Sequence, residues 1–205
     1  MIISISGAIG SGKDTIAKLI QELDTNSNWE IKKFAGKLKQ IATMLTGVPI
    51  ECWEDQEFKQ NMLNSEWSMT GRDLLQKLGT EAMRNGLHEN VWVNALLSDY
   101  SCTIKAFGTD EFNVIDADVY PNWIITDTRF PNELEAVKKR DGILIKVIRP
   151  DNANTIGTGH ASETALNEFT EWDFVIENSG TIEDLKQKVS EILTHEKLFT
   201  IGIFK

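Results

Sequence analysis

MIISISGAIGSGKDT, residues 1–15, is the stretch whose reading decides the fold. Ile2, Ile3 and Ile5 make a short apolar run of the kind a fully buried strand takes. Gly7-Ala8-Ile9-Gly10-Ser11-Gly12-Lys13 then fits the phosphate-loop pattern G-x-x-x-x-G-K, and a helical pattern begins at Thr15. Strand, glycine-rich turn and helix follow one another in the order such a loop requires. The chemistry needs these residue types. Small residues at Gly10, Ser11 and Gly12 let main-chain N–H groups curl around a phosphate. The helix N-terminus adds partial positive charge, and Lys13 reaches the β- and γ-phosphates. One position departs from the pattern. Asp14 stands where Ser or Thr usually offers a hydroxyl to Mg²⁺, and Thr15 follows it. An acid is welcome at a helix start, and its carboxylate is a candidate ligand for the ion, directly or through water.

A chain of 205 residues is long enough for one well-buried α/β core with a smaller insertion and too short for two full domains. A net charge of −10 argues against a sequence-independent grip on nucleic acid, which needs a basic surface, yet it allows a free nucleotide in a local basic pocket. Cys52 and Cys102 have neither metal nor redox spacing, so free thiols in a reducing compartment are expected. The first residues read as a core strand rather than a signal peptide, and no apolar run approaches the roughly 18 residues of a membrane span. These features predict a cytoplasmic protein with no membrane partner.

Beyond the first helix, Trp29 to Phe34 reads as a second strand, and its exit carries Lys32, Lys33, Lys37 and Lys39. That cluster is either a solvated helix face or an electropositive approach to an anionic substrate. A helix is expected from Ala35 to about Leu45, ended by Gly47 and Pro49. Residues 50–69 show no clear period and read as loop with short helix. Thr70 to Asp73 supplies a capping box, after which Leu74, Leu75, Leu78 and Ala82 form an apolar helical stripe. Arg72, Gln76, Thr80 and Arg84 recur every four residues on a neighbouring face, either as four polar side chains toward one cleft or as an exposed charged face. A further helix carries Trp92, and residues 102–107 and 112–120 suggest a hairpin.

Trp123-Ile124-Ile125-Thr126-Asp127 has the form of a central parallel strand delivering an acid to the ligand-binding edge of a sheet, with Arg129 two residues on. Ile143 to Ile148 is the next buried strand and is followed by Arg149-Pro150. Residues 151–159 are polar and suited to a mobile cover. His160-Ala161-Ser162-Glu163 opens another helix, and the lone histidine reads as solvated. Phe174 to Glu177 is a strand, Asn178-Ser179-Gly180 a turn, and Thr181 to Asp184 a capping box for the last helix. The apolar tail Leu198 to Phe204 reads as an edge strand or as a subunit contact in a homodimer. Alternation of strands and helices implies a parallel sheet covered on both faces.

Several segments together resemble the deoxynucleoside monophosphate kinases of the bacteriophage type, within the P-loop kinase superfamily. They are GAIGSGKDT at 7–15, FAGKLK at 34–39, GRDLLQKLGTEAMR at 71–84 with Trp92, IITDTRFPNE at 124–133, HASE at 160–163 and DFVIENSGTIEDL at 173–185. The resemblance implies an α/β three-layer fold with a core at about 1–34, 122–150 and 165–197. It also implies a helical acceptor-binding insertion at about 35–100 and a short lid at about 150–163. The implied reaction moves the γ-phosphoryl group of ATP, with Mg²⁺, onto a deoxynucleoside 5′-monophosphate, in the host cytoplasm for a phage protein. On that likeness Lys13, Asp127 and Arg129 are the catalytic residues. Gly10, Ser11, Gly12, Asp14, Thr15, Arg149 and Asn178 hold the donor, the Asn178 turn lying against the adenine. Asp14 and Asp127 orient the metal, while Lys37, Arg72, Gln76, Arg84, Trp92 and Arg129 serve the acceptor.

Two other readings compete. A kinase of another small molecule, such as dephospho-coenzyme A, shares the loop and the asparagine turn but leaves the Arg72–Arg84 face unexplained. A nucleotide-dependent switch or motor lacks support, since neither D-x-x-G nor N-K-x-D occurs and no adjacent acidic pair follows Thr126.

Overall fold

The computed structural model describes residues 1–101, 103–105, 117–150 and 164–195. The expected lid, His160, Cys102 and the apolar tail lie outside these residues. The described chain forms two compact units, one of residues 1–32 and 100–205, the other of residues 33–99.

The first unit is built on a five-stranded sheet whose paired strands are all parallel. Its strands are β1 (Ile2–Gly7), β2 (Trp29–Lys32), β5 (Asn122–Ile125), β6 (Ile143–Ile148) and β7 (Phe174–Glu177), in the order β2-β5-β1-β6-β7. A separate antiparallel pair, β3 (Thr103–Lys105) with β4 (Ala117–Val119), is what the described residues show of the expected hairpin. Strand β2 pairs with β5 from Trp29↔Asn122 to Lys32↔Ile125 and ends two residues short of the expected Phe34.

Both faces of the sheet are covered. Ile3 and Ile5 point to the face packed by α1 (Lys13–Leu23) and α7 (Ile182–Leu193), through Ile16, Ala17, Ile20, Leu185 and Val189. Side chains alternate along a strand, so Ile2, Ser4 and Ser6 point the other way, where α6 (Pro131–Lys138) packs on β1 and β6 with Leu134 and Val137 fully buried. Residues Ile2, Ile3, Ile5, Ile124, Ile125, Ile143, Leu144 and Ile145 are all inaccessible, as a parallel sheet between helix layers demands. Chain connections leave β1 toward β2 on one side and β6 toward β7 on the other. The boundary between β1 and β6 is therefore the switch point where open α/β sheets bind ligands.

The second unit is helical: α2 (Gly36–Thr46), a 3₁₀ turn (Ile50–Trp53), α3 (Gln56–Gln60), α4 (Gly71–Gln76), a π-helical segment (Lys77–Asn85) and α5 (Val91–Leu97). Ala42, Trp53 and Leu74 centre its core. The capping box at Thr70 and Asp73 forms as expected, but the helix after it does not remain α. Hydrogen bonding from i to i+5 replaces i to i+4 beyond Gln76, so buried positions recur at Leu74, Gly79 and Arg84, five apart. Ala82, expected on the apolar stripe, is exposed for this reason.

Candidate active site

The turn after β1 is shaped by close approach. A Cβ on Gly7 would lie 2.5 Å from the Val147 carbonyl oxygen, because Gly7 is the register partner of Val147 in β6. Gly12 has φ 102°, a left-handed conformation that favours glycine, and a Cβ there would meet the Asn178 side chain at 2.5 Å. Lys13 Nζ donates to the carbonyls of Gly7 at 2.8 Å and Ala8 at 2.7 Å, folding back over the loop that it follows. Ser11 is fully buried, and its Oγ has no hydrogen-bond partner among the described residues.

Two more ties come from the far side of the switch point. Asn178, after β7, donates from Nδ2 to the Ser11 carbonyl at 2.9 Å, and its main-chain N–H is held by Ile148 O at 2.7 Å. Arg149, after β6, donates to Gly10 O at 3.3 Å. Both residues assigned to the donor side by resemblance thus touch the phosphate loop itself.

The segment after β5 is fastened to the same loop by residues that the sequence reading passed over. Thr126 Oγ1 donates to Asp14 Oδ1 at 2.9 Å, joining the end of β5 to the first turn of α1. Thr128, almost fully buried, shares a 2.6 Å hydroxyl contact with Ser4, and Ser6 donates to its carbonyl at 2.9 Å. Glu133, buried in the first turn of α6, accepts from the main-chain N–H groups of Arg129 at 2.7 Å and Phe130 at 3.1 Å. The half-buried Asp127 and the exposed Arg129 are therefore carried on a backbone anchored to β1, α1 and α6. A signal for part of this was present: Ser4 and Ser6 interrupt an apolar strand at a spacing of two, so both hydroxyls had to find partners on one face.

In the helical unit, Arg72 is half-buried and donates to Gln56 Oε1 at 3.2 Å, while Gln76 is half-buried. Arg84 is buried and donates to the Glu89 carbonyl at 3.1 Å. Trp92 is 5 % exposed, and its indole N–H is spent on the Gly79 carbonyl at 2.8 Å. Each lysine of the basic cluster meets a carboxylate: Lys32 with Glu30, Lys33 and Lys39 with Glu54, and Lys37 with Asp99. Of the two readings of that cluster, the electropositive approach is thus locally neutralised. Burial raises the Glu54 pKa, but hydrogen bonds and attraction from Lys39 and Lys33 outweigh it and hold the carboxyl below its ordinary value.

Asp14 and Asp127 are hard oxygen donors of the kind Mg²⁺ takes alongside substrate phosphates and water. Among the described residues, no three acidic, histidine or cysteine side chains cluster as a metal site of their own. Nor, among them, is any helix long and apolar enough to cross a membrane.

Comparison with known proteins agrees with this picture. Residues 37–189 match the family described as deoxynucleotide monophosphate kinase. The putative deoxynucleotide monophosphate kinase of Acanthamoeba polyphaga mimivirus is 29 % identical, over 92 % of this chain and 94 % of the relative. The deoxynucleotide monophosphate kinase of Escherichia phage RB69 is 31 % identical over 65 % of this chain and 48 % of its own length. The deoxynucleoside-5′-monophosphate kinase of Escherichia phage T5 is 25 % identical over 81 % and 85 %. With a strand-loop-helix phosphate site at the switch point and a family match running through the helical unit into α7, this chain belongs to the deoxynucleotide monophosphate kinase family.

Proposed function

We propose that this protein phosphorylates deoxynucleoside 5′-monophosphates to diphosphates, with ATP as donor. The observation that carries the reading is the Asp14–Thr126 bond, which ties the phosphate loop to the segment bearing Asp127 and Arg129. Phosphoryl transfer asks for alignment and charge neutralisation more than covalent chemistry. The bond between the γ-phosphorus and the β-phosphate oxygen breaks as one forms to an acceptor phosphate oxygen. With a second pKa of about 6, that acceptor is already largely ionised near neutral pH and needs no strong base.

In this reading the loop N–H groups and Lys13 hold the donor phosphates, with Lys13 exchanging its carbonyl partners for phosphate oxygens. Asp14 and Asp127 would hold Mg²⁺, which when bound supplies positive charge against the donor phosphates. Arg129 meets charge that develops on the transferring group. Arg72 and Gln76 contact the acceptor, Arg72 through the planar fork suited to phosphate. Lys37 serves it by exchanging Asp99 for phosphate, while Arg84 and Trp92 act from their buried positions.

ATP labelled in its γ-phosphate tests the proposal. Label should appear in a deoxynucleoside diphosphate and depend on added monophosphate. Release of label as inorganic phosphate alone, regardless of acceptor, would refute it.

A further inference from the structure

A peptide unit is planar, and in its trans form the C=O and N–H point in opposite directions. Whatever grips the Ser11 carbonyl therefore also aims the Gly12 N–H. Asn178 Nδ2 makes that grip at 2.9 Å, and only the amide NH₂ of this side chain can donate to a carbonyl. Its side chain lies flush against Gly12, where a Cβ would approach Nδ2 to 2.5 Å. The residue is itself held independently of its side chain, by its N–H to Ile148 O at 2.7 Å.

We infer that Asn178 is a positioning residue for phosphate binding: by holding the Ser11 carbonyl outward it turns the Gly12 N–H toward the donor phosphates. This rests on the loop being the donor site. It also differs from a base-contact role for the Asn178 turn, since here the residue acts on the phosphate end of the ligand through the loop. Ser11, buried beside it, offers no competing side-chain bond of its own among the described residues.

Calorimetric titration with inorganic tripolyphosphate, adenosine and ATP separates the two roles. Asn178→Ala retains the main-chain bond to Ile148, and Asn178→Ser provides a second variant without the amide. Both should weaken tripolyphosphate and ATP by roughly five- to tenfold, the loss expected for one freed hydrogen bond, and leave adenosine unchanged. Loss of adenosine affinity equal to or larger than that of tripolyphosphate, or no loss for any ligand, overturns the inference. Lys13→Met is the separate control on the donor site: if it binds tripolyphosphate as wild type does, the loop reading itself fails, whatever Asn178 does.

Discussion

Replacing Lys13 by Met removes the sole side-chain cation of the 7–13 loop while keeping its length. Turnover should fall by orders of magnitude with the thermal midpoint nearly unchanged, because the charge matters most where negative charge concentrates in the transition state. Near-normal kcat in the folded variant would show that the loop does not hold the donor. Asp14 offers a subtler test, since one of its oxygens is engaged by Thr126. Asp14→Asn should shift the Mg²⁺ dependence of the rate more than it shifts nucleotide binding measured without metal. An unchanged Mg²⁺ titration would reduce Asp14 to a helix-start residue. Lys13 and Asp14 were legible from the motif alone, because local spacing dictates both. Thr126 was not. Its partner is separated from it by most of the chain and becomes a neighbour only when β5 inserts beside β1.

The π-helical segment is the element that periodicity could not anticipate. An α-helical template over 71–84 fits the capping box and the first leucines, then assigns Ala82 to a face it does not occupy. What holds the wider winding is tertiary: Trp92 donates to the Gly79 carbonyl, and Gly79 fits beneath Leu38, where a Cβ would come to 2.8 Å. Trp92→Phe keeps the ring bulk and removes the indole donor to that buried carbonyl, a loss of about 0.5–1.5 kcal/mol. Urea denaturation should show it as a lower midpoint with an unchanged slope, and an unaltered midpoint would remove the indole from this role. Near α2, Glu54 bridges Lys33 and Lys39. Its folded pKa lies below the ordinary 4.5, so its contribution is present above that value and is lost as pH falls through the depressed one. Wild type should therefore exceed Glu54→Gln in stability at neutral pH, with the gap closing under acid. A gap independent of pH would show that the carboxylate charge is not what matters there.

At the scale of the molecule, the parallel sheet and its helix coverage followed from the alternation of apolar runs with helical patterns, while the strand order did not. The three central strands, β1, β5 and β6, are buried on both faces and leave little freedom of register. The division of labour was less legible, since which polar groups meet depends on loop closure rather than local pattern. In the proposed reaction the donor sits on the phosphate loop and the acceptor meets arginines elsewhere in the chain. Arg84 is a poor first probe, because removing its buried guanidinium also strips the Glu89 carbonyl of a partner. Arg72 and Arg129 are not buried and are cleaner. Losing a charge-assisted contact to phosphate costs about 1.5–3 kcal/mol, roughly ten- to a hundredfold in affinity. The most direct measurement is steady-state kinetics on Arg72→Ala and Arg129→Ala, varying ATP and each deoxynucleoside monophosphate in turn with the other saturating. KM for the monophosphate should rise in both variants, kcat should fall in Arg129→Ala, and KM for ATP should stay near wild type. Lost ATP affinity with an unmoved acceptor KM would contradict the account.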